Sequence, residues 1–415
     1  MTETRLKIAI FLSYAIFAIL LNSVGTVILQ SIEFFRVDKI TASTLEAFKD
    51  LPIAATSFLI ASFLPRIGYR RAMMVGLTLV GLACAAMPLL QSFWATRVLF
   101  LAIGVSFAIV KVAVYSFVGL LTRDTRGHAS LLNVIEGMFM LGVLGGYWIF
   151  SGFIDHDNPA SPAWLNVYWP VAAACAATVA LLATTRFDES DARDGAHPAS
   201  PAEDFLGMIR LAIKPLSIVF IISVFLYVLI EQGIGTWLPT FNRQLLGLSA
   251  PMSVQAASIF AVGLMIGRLM AGAIVTRTGW YPLLMACLAC MAVLILIALP
   301  LAGAASGRAV EGWAHAPIAA FVFPLIGLFM APIYPAINSA ILSAMPRASQ
   351  SAMVGLIVVF SALGGTTGSL IIGRVFDAFE GAQAFYLLLI PIAVVALSIT
   401  FLRRMVTAPL SASSD

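Results

Sequence analysis

Four charged side chains lie well inside long apolar stretches of this sequence: Lys111, Glu136, Glu231 and Arg268. A charge at the centre of a bilayer costs at least about 2.5 to 3.5 kcal/mol on insertion scales, so such residues usually face a cavity or a partner. A cation in such a place attracts an anionic group, and a desolvated carboxyl can exchange a proton. We therefore expect function to depend on these four positions.

Covalent and nucleotide-driven chemistry is not favoured. Ser106 stands in a Gly-Val-Ser sequence, but a nucleophile needs a base, and the histidines all fall in loops or at the ends of apolar stretches. No Lys follows a Gly, so the chain has no phosphate-binding loop. The four cysteines lie in apolar runs and predict neither a disulfide nor a metal site. We expect no enzyme, no cofactor and no metal.

The composition indicates which type of secondary structure contains these charged residues. Of 415 residues 61% are hydrophobic and only 11% are charged. About 20 apolar residues span a bilayer as a helix, and a helix satisfies its own backbone hydrogen bonds in lipid. The stretches lack the alternation of a membrane β-barrel. The sequence therefore predicts an all-α membrane protein with twelve transmembrane helices.

The twelve predicted spans form two sets of six around one charged segment. The first set lies near 9–30, 44–64, 72–91, 95–121, 129–154 and 164–185, and the second near 216–238, 252–275, 281–303, 316–344, 352–374 and 383–402. We predict an N-terminal six-helix bundle over 1–185, a cytoplasmic linker over 186–214 and a C-terminal six-helix bundle over 215–415. The linker is acidic and contains Pro and Ala, as is typical of a tether.

The distribution of Lys and Arg predicts the orientation. With the N-terminus in the cytoplasm, most of these residues fall on the cytoplasmic side, which is where they are retained. The sequence thus predicts a multi-pass inner-membrane protein with both termini cytoplasmic. The formal charge of +4 reflects this topology, so the expected partners are the lipid bilayer, a small-molecule substrate and protons, and not nucleic acid. We expect a monomer.

The two halves repeat each other weakly. The second span leads into Pro65-Arg66-Ile67-Gly68-Tyr69-Arg70-Arg71, and the eighth leads into Thr276-Arg277-Thr278-Gly279-Trp280-Tyr281. The fifth span contains Gly145-Gly146 and the eleventh contains Gly364-Gly365. Each pair occupies the same ordinal place in its half, as parallel repeats do in transporter folds.

At these residues the chain resembles the major facilitator superfamily over essentially its whole length. The signature of that superfamily, after the second helix, is matched by Arg66, Gly68, Arg70 and Arg71, while Pro65 stands in place of its Asp. The resemblance implies alternating access by two rocking six-helix bundles. It also implies gating roles for Arg66, Arg70 and Arg268.

The seventh span, from Tyr227 to Pro239, resembles the seventh helix of the fucose/proton symporter family. That family uses acidic residues in its first and fourth helices for proton coupling and sugar binding. Here the first span carries Asn22 and the fourth carries Lys111. The scaffold is thus expected to be shared, with different groups at these positions.

In the superfamily resembled, the first, fourth, seventh and tenth helices line a central cavity. The candidate substrate contacts are therefore Lys111, Asn22, Tyr115, Tyr334, Asn338 and Trp237. Glu136 and Glu231 are the candidate proton carriers. Two alternatives remain open here, since Lys111 can instead form a structural ion pair with Glu136, and Glu231 can serve helix packing. Two prolines around Tyr334 predict a broken tenth helix.

The functional expectation is a secondary active transporter, proton-coupled, that moves a small polar solute. Lys111 favours an anionic solute such as a carboxylate or an acidic sugar. One alternative is proton-driven export of drugs, siderophores or other amphipathic compounds, which a broad Met and aromatic lining would favour. An alternative of another class is a membrane sensor that keeps the fold without transport.

Overall fold

The structure is a computed structural model that describes residues 2–60, 64–121, 125–185, 201–305, 310, 312–345, 347–379 and 382–407. The described part of the chain is almost entirely helical and contains no β-strand, which confirms the all-α fold class. It divides into two compact units. Unit 1 comprises Met1–Pro201, Thr236–Arg243 and Leu248–Ser258, and unit 2 comprises Ala202–Gly235, Gln244–Gly247 and Ile259–Asp415.

The described residues of the first half of the chain form eight α-helices. They are α1 (Thr2–Asn22), α2 (Val24–Phe34), α3 (Lys39–Ile60), α4 (Leu64–Ile67), α5 (Tyr69–Leu90), α6 (Phe93–Leu121), α7 (Thr125–Phe153) and α8 (Tyr168–Thr184), the last preceded by a 3-10 helix, Pro162–Val167. The first predicted span is broken. Ser23 and Asn22 donate side-chain hydrogen bonds to the carbonyls of Leu20 (2.7 Å) and Ala18 (3.0 Å), and such bonds compete with helix continuation.

Eleven α-helices are formed by the second half, counted over the residues that the structure describes. They are α9 (Pro201–Ala212), α10 (Pro215–Gly235), α11 (Leu238–Gln244), α12 (Ala250–Thr278), α13 (Trp280–Ala305), α14 (Ala319–Val322), α15 (Ile326–Met330), α16 (Ile333–Ala344), α17 (Arg347–Ala378), α18 (Ala382–Tyr386) and α19 (Leu389–Thr407). The predicted linker contains α9, while its residues 186–200 lie outside the described part. The predicted break in the tenth span occurs between α15 and α16, before Pro332.

Eleven helical stretches in the described residues are long and apolar enough to cross a membrane. The predicted span over 44–64 is not among them. Its helix, α3, carries Glu46, Lys49 and Asp50 in its middle, and these charges reduce its mean hydropathy. The chain is thus a multi-pass membrane protein in which one helix of the predicted set contains an unusual group of charges.

The internal repeat is visible in the geometry of the chain. Gly68, before α5, and Gly279, before α13, both have positive φ, 91° and 77°. Only glycine adopts this region without strain, so the two matching loops use the same device to turn the chain. The repeated loops predicted from the sequence therefore both contain a glycine with positive φ at the same place.

Close helix packing repeats as well. A Cβ at Gly142 of α7 would lie 2.7 Å from Ala18 Cβ and 2.8 Å from the Ala15 carbonyl oxygen of α1. In unit 2, a Cβ at Gly364 or Gly368 of α17 would clash with the backbone of α10. Small residues allow such backbone approach in membrane helix pairs. Glycines four residues apart thus allow close packing in both units. Gly142 and Gly146 of α7 pack against α1, and Gly364 and Gly368 of α17 pack against α10.

Candidate functional site

A group of polar and aromatic side chains in unit 1 lies where α1, α6 and α7 meet. We call Tyr14, Phe107, Lys111, Tyr115 and Glu136 the N-cluster. Helical spacing places the three α6 members, at positions i, i+4 and i+8, on one face of that helix. The structure thus brings together three of the residues that the sequence predicted: Lys111, Tyr115 and Glu136.

Glu136 is held by a tyrosine. The Tyr115 hydroxyl donates a hydrogen bond of 3.0 Å to Glu136 Oε1. Lys111 lies near enough to interact electrostatically with Glu136, but it forms no ion pair with another described residue. Its ammonium instead lies 5.7 Å from the centroid of the Phe107 ring, a cation–π arrangement. The Lys111 side chain is therefore not committed to a carboxylate.

The N-cluster is polar at its accessible side and aromatic behind it. The side chains of Lys111, Tyr115 and Glu136 are exposed, although all three residues stand away from the ends of their helices. Tyr14 is buried, and its hydroxyl has no hydrogen-bond partner among the described residues. The Tyr14 ring packs against Phe107 at 6.5 Å and against Phe139 at 6.0 Å, centroid to centroid. This arrangement suits a solute with both a charged group and an apolar or ring face.

A second polar group, which we call the C-cluster, lies in unit 2 and consists of Tyr227, Glu231, Arg268, Tyr334 and Ser361. The Tyr227 hydroxyl donates to the Met330 carbonyl (3.2 Å) and lies beside the Glu231 carboxylate. The Arg268 side chain interacts electrostatically with Tyr227 and Tyr334. A carboxylate and a guanidinium are thus placed around two tyrosines.

The break in the tenth span gives the C-cluster its shape. The carbonyl of Met330, the last residue of α15, accepts the Tyr227 hydrogen bond where the helix is interrupted. Tyr334 follows in α16, with its ring 5.6 Å from that of Tyr227 and its hydroxyl 3.2 Å from Ser361 Oγ. Asn338 is one turn further along α16 and half-buried. Proline frees backbone groups that neighbouring side chains then satisfy.

Three predicted substrate or gating residues lie elsewhere. Asn22 ends α1, about 12 Å along the helix from Tyr14, and its amide is bonded to Ala18. Trp237 is completely buried and belongs to unit 1, whereas Tyr334 belongs to unit 2. Arg70 donates from Nη1 to the Thr185 carbonyl at 2.5 Å, which fixes the end of α8. The Arg66 side chain lies outside the described part.

The sequence reading missed a buried charged cluster in α3. Glu46 Oε1 lies 2.5 Å from Lys49 Nζ, and Asp50 Oδ1 lies 3.5 Å from the same ammonium. Thr236, which directly follows α10 in the chain, donates a hydrogen bond of 3.0 Å to Glu46 Oε2. The signal was present, because positions i, i+3 and i+4 share one helix face. Lys49 stands only five residues after the start of the predicted span at 44, however, so its charge resembles that of a residue at the water-exposed end of the span.

Electrostatics outside the spans are simple. The pKa of Asp38, just before α3, is lowered by hydrogen bonds that its carboxylate accepts from the Thr41 hydroxyl and backbone N–H, both 2.7 Å long. This is the geometry of a helix N-cap. Within the described ranges, no group of three or more His, Cys, Asp or Glu residues is arranged to hold a metal.

These features define an α-helical membrane protein with polar clusters inside its spans. A sequence model of the Major Facilitator Superfamily matches residues 8–369, and the chain therefore belongs to that superfamily. It is a transporter of this superfamily, and the predicted family resemblance is confirmed. The sequence has no match among curated proteins.

Solved structures with the same fold include three transporters. The nucleoside transporter NupG is 13% identical with a TM-score of 0.71, and the alignment covers 98% of this chain and 100% of that one. The E. coli fucose:proton symporter FucP is 17% identical with a TM-score of 0.59, covering 97% and 99%. A D-xylose-proton symporter is 14% identical with a TM-score of 0.69, covering 97% of each chain. At these identities the likeness concerns the fold.

Proposed function

We propose that this transporter couples proton movement to the transport of a small polar solute that carries an acidic group. The observation that supports this most is the N-cluster, in which an accessible ammonium, a tyrosine-bound carboxylate and aromatic rings lie together at membrane depth. A lysine there is costly and is tolerated where it serves a pathway or a ligand.

The Lys111 ammonium is the proposed contact for the acidic group of the solute. It makes no ion pair within the described residues, and the nearby Glu136 carboxylate already accepts a hydrogen bond from Tyr115. The buried Tyr14 hydroxyl lacks a hydrogen-bond partner among those residues, which leaves an unpaired polar group behind Lys111 and Glu136. Hydrogen bonds to charged groups contribute about 1.5 to 3 kcal/mol, enough to select an acidic solute.

Glu136 and Glu231 are the proposed proton carriers, one in each unit. Each carboxylate lies beside a tyrosine hydroxyl, Tyr115 in unit 1 and Tyr227 in unit 2. Two of the structures with this fold are a fucose:proton symporter and a D-xylose-proton symporter, which supports the choice of proton coupling and of a hydroxylated solute. We further propose inner-membrane insertion with cytoplasmic termini, on the charge bias of the loops.

The test is ligand-induced thermal stabilisation of the purified protein. The panel contains neutral sugars, nucleosides, carboxylates, acidic sugars, siderophores and amphipathic cations, each at about pH 5.5 and about pH 7.5. We expect an acidic solute to raise the melting temperature in a pH-dependent manner, because binding to the folded state alone stabilises it by mass action. Lys111→Met is the matched variant and should lose that shift.

The panel also separates the alternative. The aromatic wall of Tyr14, Phe107 and Phe139 is the one feature that favours an amphipathic cargo. Stabilisation by bulky amphipathic cations alone, unchanged in Lys111→Met, would contradict the proposal and support export of such compounds.

A further inference from the structure

The α3 cluster is buried more completely than any charged group of the N-cluster. The side chain of Glu46 is 0% exposed, that of Lys49 is 6% and that of Asp50 is 14%. All three sit within two turns in the middle of one helix. The cluster must therefore balance its charge internally.

The balance of charges in the cluster is uneven. Glu46 and Asp50 are both within reach of one ammonium, that of Lys49, at 2.5 Å and 3.5 Å. If both carboxylates were ionised, the cluster would hold one uncompensated negative charge. Isolated buried charge is expensive, and two carboxylates in one buried site do not both ionise easily. One bound proton makes the cluster neutral.

Neighbouring elements supply no compensating charge among the described residues. On α6, the Arg97 guanidinium hydrogen-bonds Thr44 at 3.3 Å and lies over the rings of Phe48, Phe93 and Trp94. Arg97 forms no ion pair with a carboxylate of the described residues. On α7, the buried Tyr147 lies near Lys49 and is neutral. On α2, Glu33 is engaged by Arg243 at 3.3 Å. Asp50 itself has Lys49 and Glu46 as its charged neighbours.

We propose that Glu46, Lys49 and Asp50 form a proton-binding site in which two carboxylates and one ammonium hold a single exchangeable proton. The proton belongs to the pair of carboxylates rather than to one of them. The site is additional to Glu136 and Glu231. It rests on the proposed function only for its role in coupling.

A segment of the second half covers this site. Thr236, which directly follows α10 in the chain, is packed in unit 1 and donates to Glu46 Oε2 at 3.0 Å. The same residue presents its carbonyl to Gly25, so closely that a Cβ there would clash. Arg243, near the end of this segment, donates to Glu33. Glu46 is fully covered, whereas the Asp50 side chain is 14% exposed, so the shared proton can exchange with water through Asp50.

The test is infrared difference spectroscopy of the full-length protein in lipid nanodiscs between about pH 8 and about pH 5. Protonated and ionised carboxyls absorb at different frequencies, so each titrating carboxyl is counted directly. Asp50→Asn should remove one titrating carboxyl from the wild-type difference spectrum. Glu46→Gln should do the same, because either change leaves one carboxylate for one ammonium. Asp157→Asn, at a fully exposed loop residue, is the control and should leave this buried signal unchanged.

The result that would overturn the proposal is a wild-type spectrum without a buried titrating carboxyl, or Asp50→Asn and Glu46→Gln spectra that overlay the wild type. If one variant fails to fold, the other still decides. The readout requires no substrate. A buried titrating carboxyl in a protein without proton-coupled transport would support this site and contradict the proposed function. Proton-coupled transport without such a carboxyl would support the proposed function and contradict this site.

Discussion

Lys111 carries the proposed choice of an acidic solute. We predict that Lys111→Met weakens binding of that solute by about 10- to 150-fold, because a charge-assisted contact of about 1.5 to 3 kcal/mol is lost. The measurement is the dissociation constant from equilibrium binding to the purified protein. Expression and melting temperature without ligand should stay near wild type, because Lys111 has no ion pair among the described residues.

A double variant separates this role from a structural one. If Lys111 only neutralises Glu136, then Lys111→Met combined with Glu136→Gln should recover the binding that the single variant loses. Recovery would contradict the substrate contact. We expect none, because the hydrogen-bond partner of Glu136 is Tyr115.

Glu136 carries the proposed proton coupling in unit 1. We predict that Glu136→Gln abolishes proton-driven accumulation of the solute but preserves exchange of internal for external solute, since exchange requires no net proton release. The measurement compares uptake under an imposed pH gradient with counterflow in proteoliposomes. Asp157→Asn, which removes a fully exposed loop carboxyl, is the control and should keep accumulation. Equal loss of both activities in Glu136→Gln would indicate a binding or folding role instead.

At the scale of elements, the contact between α1 and α7 depends on Gly142. We predict that Gly142→Ala destabilises the protein by about 1 to 3 kcal/mol, because the new Cβ overpacks against Ala15 and Ala18. Gly145→Ala is the matched control, since a Cβ there has nothing within 4 Å. Removing a helical glycine at that position should be neutral or slightly stabilising. The measurement is the apparent melting temperature in detergent, and equal shifts for both variants would contradict the packing argument.

The start of α3 gives a pH-dependent prediction. Asp38→Ala should lower the free energy of unfolding by about 1 kcal/mol at neutral pH, because it removes the carboxylate that caps α3 by accepting hydrogen bonds from Thr41. The pKa of Asp38 is lowered in the folded state, so its stabilisation is fully present above the unfolded value of about 3.9 and is lost as pH falls through the folded value. Asp38→Asn keeps a capping oxygen without a charge. The difference in melting temperature between wild type and Asp38→Asn should therefore vanish at low pH, and a difference that persists there would contradict this account.

Most of the long helices are predictable from the length of the apolar runs alone, because a helix satisfies its own backbone hydrogen bonds in lipid, where no water is available. The departures have local causes. Hydrogen bonds from Asn22 and Ser23 back to the chain interrupt the first span, and no run-length argument detects them. The charges of α3 share one helix face in the sequence, but their hydrogen-bond partner Thr236 is not predictable, since it lies nearly two hundred residues away in sequence.

At the scale of the whole molecule, each unit carries its own polar cluster and its own glycine-sealed helix pair. The predicted site residues divide accordingly, with Lys111, Tyr115 and Glu136 in unit 1 and Glu231, Arg268 and Tyr334 in unit 2. Their types and depth were readable from the sequence, because ionisable residues are rare in apolar spans. Their partners were not, since which tyrosine meets which carboxylate depends on helix rotation.

The central claim is that an acidic solute and a proton cross the membrane together. The most direct measurement uses proteoliposomes that contain a pH-sensitive dye, to which the acidic solute with the largest thermal shift is added without an imposed gradient. The account predicts solute-dependent acidification of the interior by the wild type and none by Lys111→Met or Glu136→Gln. Acidification no faster than in protein-free liposomes, or equal rates for the wild type and Lys111→Met, would contradict it.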